Sequence, residues 1–142
     1  MHLSFPVMPP DQNPRRLAMS HQRQCVSALQ LIEQRMADLC QMTRTVPGEV
    51  LVLDIQRRGD RGSASLRWRS PAGVMLSKSA LIEGVRQLSP ALRAWYADVQ
   101  VQALWLNLSE RLCRRSAAEY LDLVDAIAGI ESFSCKGSER DG

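Results

Sequence analysis

Histidine occurs only twice in this chain, at His2 and His21, and no two of its cysteines stand at CxxC spacing. That scarcity removes the usual materials of a general base, a cysteine–histidine pair or a zinc site. A glycine-rich phosphate loop and a GxSxG elbow are also missing. Glu119, Asp122 and Asp125 have the spacing of a solvated acidic helix face. The chain is therefore not read as an enzyme, and no catalytic residue, metal ligand or cofactor is assigned. No stretch reaches the ~20 apolar residues that span a bilayer, so no membrane association is expected. The first residues lack a basic segment followed by a long apolar run, so they are not read as a secretory signal, and a cytoplasmic protein is expected. Cys25, Cys40 and Cys113 each fall on an apolar stripe, which predicts buried, reduced thiols, while Cys135 lies in a polar tail.

What is present is a local excess of arginine. The chain of 142 residues has a net charge of only +3, yet Gln56 to Arg69 holds Arg57, Arg58, Arg61, Arg67 and Arg69 against the single acid Asp60. That segment alone carries +4, leaving −1 for everything else. Its 45% hydrophobic and 23% charged composition is otherwise that of an ordinary globular protein.

The pattern of apolar residues predicts an α+β fold. Residues 1–14, with four prolines and no periodicity, read as a flexible arm. Residues 15–133 form a single domain and residues 134–142 a flexible tail. Cys25, Leu29, Ile32, Met36 and Leu39 mark one face of an N-terminal helix, Arg15 to Thr43, with a break possible near Ser20-His21. The repeat then changes to strict alternation. Leu51, Leu53 and Ile55 point one way in a first strand, and Ala64, Leu66 and Trp68 one way in a second. Gly59-Asp60-Arg61-Gly62 supplies the first turn and Ser70-Pro71-Ala72-Gly73 the next. Val74 to Leu76 then completes a three-stranded antiparallel meander. A short helix over Leu81 to Leu88 follows, and Ser89-Pro90 opens a long C-terminal helix to about Ile130. Ser116-Ala117-Ala118-Glu119 matches a capping box, which would split that helix in two.

The long helix carries two stripes. Leu92, Tyr96, Val99, Ala103, Leu106, Cys113, Ala117, Tyr120, Val124 and Ile127 form the first, interrupted only by Glu110. Val101, Trp105, Leu108 and Leu112 form the second. A helix apolar on two sides is either central to a core or shared with another subunit, and a homodimer through this helix is expected. A helix-turn-helix over Ala80 to Val85 fails, because Pro90 would occupy the interior of its second helix.

The basic ribbon carries the functional expectation. Arginine makes forked, charge-assisted bonds to phosphate oxygens, and two-stranded ribbons fit the major groove. Arg57, Arg58, Arg61, Arg67 and Arg69 are the predicted nucleic-acid contacts, DNA being the predicted partner. The alternative is a protein–protein interaction or scaffold module without nucleic-acid affinity. In that reading the arginines pair with acids of a partner or of the long helix. Asp54 is read as pairing with Arg67 or Arg69 across the hairpin.

The order strand, Ser65-Leu66-Arg67-Trp68-Arg69, turn, strand, short helix and long helix with Asn107-Leu108-Ser109 resembles small accessory proteins of bacterial integrative conjugative elements. That family is of unknown function, some members being labelled integrase regulators. The likeness covers roughly Val50 to Ile127. It implies a DNA-associated role in a mobile genetic element and brings no catalytic residue with it.

Overall fold

Pro14 opens the first helix directly after Asn13, whose side-chain oxygen accepts the Arg16 N–H at 3.1 Å, a cap on an otherwise unsatisfied first turn. In this computed structural model, which describes residues 12–46, 51–59 and 62–138, the chain runs α1 (Pro14–Arg44), β1 (Val52–Arg58), β2 (Ser63–Arg69), α2 (Lys78–Arg86) and α3 (Pro90–Ser138). Ser77 caps α2 by accepting the Ala80 N–H, and Ser89 caps α3 by accepting the Leu92 N–H. No described helix is long and apolar enough to cross a membrane.

The chain divides into two units, Met1–Ser27 with Arg115–Gly142, and Ala28–Arg114. In the first, His21 stacks on Tyr120 with ring centroids 5.1 Å apart. Arg15 pairs with Glu131 at 3.5 Å, and Ala18 is buried. Neither possible helix break is realised. α1 runs through Ser20-His21, and α3 runs through Ser116. Glu119, which a capping box would turn back to the backbone, is held by Arg115 at 3.3 Å. Ala117, Tyr120, Val124 and Ile127 stay half-buried, so the apolar stripe keeps the chain helical past the box.

The second unit contains the sheet and the core. β1 and β2 pair antiparallel, with Leu53 opposite Trp68 and Ile55 opposite Leu66. Leu51, Leu53, Ala64, Leu66 and Trp68 are buried with Met36, Leu39 and Cys40 of α1 and Tyr96, Val99 and Ala103 of α3. Ile32 and Leu106 pack against that cluster. Trp68 meets Tyr96 edge-on at 5.7 Å, a favourable aromatic geometry. Gly59 and Gly62 both have positive φ, 69° and 67°, where a side chain would be strained.

Among the described residues the sheet has two strands, not the three expected. After the Ser70–Gly73 turn, Met75 makes one isolated bridge to Arg69, and the Leu76 N–H reaches the Trp68 carbonyl at 3.0 Å. Pairing stops there for two reasons. Ser77 turns the chain into α2 at once. Farther along β2, the outer edge is already taken by α3: the Leu66 N–H and C=O bond to Asn107, and the Ala64 N–H bonds to Glu110. A third strand has no free ladder positions left to pair with.

Candidate functional site

Alternation along β1 puts Arg57 on the same face as Leu53 and Ile55, away from Arg58. At the end of that face Arg57 forks onto Glu33 of α1, its Nη1 and Nη2 donating to Oε1 and Oε2 at 3.3 and 3.5 Å. It also donates to the Gly62 carbonyl at 3.4 Å. Arg114 of α3 reaches the same carbonyl and lies 3.8 Å from Glu33. Its Nε donates to Glu110 at 2.5 Å. Arg57, Glu33, Arg114 and Glu110 thus form one ionic chain that fastens the hairpin tip to both long helices. Glu110 is 1% exposed. A carboxylate so buried is tolerated because it accepts from both Arg114 and the Ala64 backbone. What interrupts the apolar stripe of α3 in the sequence is therefore an anchor for β2.

The opposite face of the hairpin carries Asp54, Gln56 and Arg58 of β1 with Ser63, Ser65, Arg67 and Arg69 of β2. Asp54 lies in its middle. Arg44, at the end of α1, donates to Asp54 at 2.6 Å, and Arg69 Nε lies 3.4 Å from the other carboxylate oxygen, an ion pair not aligned as a hydrogen bond. Arg58 is exposed and has no acidic partner among the described residues. Arg67 lines a recess of about 350 Å³ with Lys78, Gln100 and Asn107. Of the five predicted contacts, Arg58, Arg67 and Arg69 therefore share one surface, Arg57 is drawn to another, and Arg61 lies outside the described residues. Arg44 joins the surface through Asp54. Its position 25 residues before Arg69 gave no local signal of this in the sequence.

α3 offers a surface of another kind. Val101, Leu104, Trp105, Leu108 and Leu112 line one side of the helix and are each between 39% and 57% exposed. The core-facing side of the same helix buries Tyr96, Val99, Ala103 and Glu110. The second stripe seen in the sequence is thus on the outside of its unit, and Leu104 belongs to it as well. Of the three arginines that follow Glu110, Arg111 is exposed, while Arg114 and Arg115 are turned to Glu110 and Glu119.

Cys40 is buried, and desolvation, with Asp54 adding to it and Arg44 opposing, pushes its thiol up to about 11. Cys113 is half-buried and is also shifted up, first by burial and then by Glu110. Cys25 is half-buried and Cys135 exposed. No group of three His, Cys, Asp or Glu residues that could hold a metal ion occurs among the described residues. Comparison of the chain with protein-family models, with curated proteins and with solved structures gives no match.

Proposed function

We propose that this chain is a non-enzymatic, cytoplasmic protein-interaction module whose first partner is a second copy of itself, joined through α3. The observation that carries the reading is the row Val101, Leu104, Trp105, Leu108 and Leu112, five large apolar side chains left half-exposed along one side of a helix whose other side is core. Contiguous exposed apolar surface of this kind marks interfaces, and closed two-fold contacts are the commonest way for a single chain to cover it. Sedimentation velocity at micromolar concentration tests it: the expected species has twice the 15.9 kDa chain mass. Leu108→Asp, which places a charge in the centre of the row, is expected to return the chain to a monomer with its helix content unchanged.

The second reading is a DNA-associated role, with phosphates contacted by the outer face of the hairpin. It is favoured by Arg58, Arg67 and Arg69 sharing one face of the hairpin with Asp54, which also holds Arg44. It ranks second because Arg57 is committed to Glu33 and Arg69 leans on Asp54. Its setting in a mobile genetic element rests on the sequence resemblance alone. Fluorescence anisotropy with duplex DNA is expected to give a log K falling with log[salt] at a slope of about −3 per chain. Replacing Arg58, Arg67 and Arg69 by alanine flattens that slope. Undetectable binding by the unaltered chain at low salt removes this reading.

A further inference from the structure

We infer that two copies of the chain associate with their α3 helices parallel and in register, the orientation being set by reciprocal ion pairs between Arg93 of each copy and the partner's Asp98. The inference deepens the self-association reading and rests on it.

The reasoning begins with the positions of the apolar residues. Ala94, Ala97, Val101, Leu104 and Leu108 recur alternately three and four residues apart, the spacing of the inner a and d positions of a two-helix seam, with Val101 and Leu108 at a and Leu104 at d. Trp105 and Leu112 widen the seam on the flank that also carries Asp98, the e position. A straight helix drifts about 20° per heptad relative to such a seam. By the next turn the apolar line has therefore passed from Leu108 to Leu112, and Arg111 lies at its margin.

The flanks discriminate between the two possible orientations. On one side of the row lies Arg93, on the other Asp98, five residues farther along. Both are exposed, and neither forms an ion pair among the described residues. In a parallel pair, a residue at g of one helix meets the residue five positions later, at e, of the other. Arg93 then faces the partner's Asp98, and the two-fold axis makes the contact twice. In an antiparallel pair each flank meets the same flank of its partner. Arg93 would lie toward the partner's Arg111, and Asp98 against the partner's Trp105 and Leu112. That arrangement sets like charges together and buries a carboxylate on apolar surface, both unfavourable. The remaining g positions, Gln100 and Asn107, are already bonded to Trp68 and Leu66 within the chain. They give no preference either way, so Arg93 and Asp98 decide the orientation.

Charge reversal tests this with full-length protein. R93D and D98R each place like charges at both crossings of a parallel pair and are expected to weaken self-association about tenfold. The double variant R93D/D98R exchanges the two charges and is expected to restore the unaltered affinity. Mixing the two single variants, distinguishable by mass in native mass spectrometry, is expected to give mainly the mixed dimer. Dimers unaffected by either reversal, with statistical mixing, would overturn the parallel register while leaving self-association standing. A monomer throughout the micromolar range for the unaltered chain would overturn both.

Discussion

Asn107 completes the ladder of Leu66. Its side-chain oxygen accepts the Leu66 N–H at 2.7 Å and its nitrogen donates to the Leu66 carbonyl at 3.2 Å, so one amide side chain makes the two bonds a neighbouring strand would make. Asn107→Ala leaves both groups unpaired in a partly buried place and is expected to cost about 1–3 kcal/mol. Asn107→Asp keeps the acceptor, loses the donor and sets a carboxylate beside a carbonyl. The urea midpoint of both variants is expected below that of the unaltered chain.

Glu110 serves a side-chain charge as well as a backbone N–H. Glu110→Leu takes the acceptor from the Ala64 N–H and the nearest one from Arg114, which keeps Glu33 and the Gly62 carbonyl, and is expected to lose about 1–3 kcal/mol. Glu110→Gln retains an oxygen for Ala64 and is expected to lose distinctly less. Chemical denaturation of the two variants side by side orders them, and equal losses would mean that charge plays no part.

Cys40 introduces a dependence on alkaline pH. Its thiol is raised from 9.0 to about 11, chiefly by burial. The unfolded chain therefore releases this proton at lower pH than the folded one. The resulting stabilisation is fully present below pH 9 and is lost as pH rises toward 11. Cys40→Ala is expected to show a shallower decline in urea midpoint over that window. At pH 8, iodoacetamide is expected to modify exposed Cys135 long before Cys40.

Gly84 lies in the interior of α2, where glycine costs about 1 kcal/mol relative to alanine. A methyl group there would meet the Leu51 side chain at 3.7 Å, an ordinary contact. Gly84→Ala is expected to raise the thermal midpoint by a few degrees, measurable by circular dichroism.

The change from helical repeat to alternation, the glycines of the hairpin and the Ser89-Pro90 start were legible because each depends on a few consecutive residues. The absence of a third strand was not legible, because Val74 to Leu76 alone does not reveal that the edge it would join is occupied by residues more than thirty positions later. Glu110 looked like a defect in a stripe for the same reason. A lone acid on an apolar face, with Asn107 three residues before and Arg114 four after, was the available sign of a polar group serving a neighbour. The partner of Arg57 gave no sign, since Glu33 stands 24 residues upstream on another element. Alternation did separate Arg57 from Arg58, and the charge total over the ribbon concealed that division.

The side chains that take outward N–H groups of the hairpin also bear on how the protein behaves when concentrated. Thr43 of α1 accepts the outward N–H of Leu53, and α3 takes those of Ala64 and Leu66. An exposed strand edge is the template on which foreign strands add and fibrils grow. Here three of the outward N–H groups, those of Leu53, Ala64 and Leu66, are taken by the chain's own side chains, so crowding is expected to produce assemblies of defined size through helices rather than open-ended β-polymers.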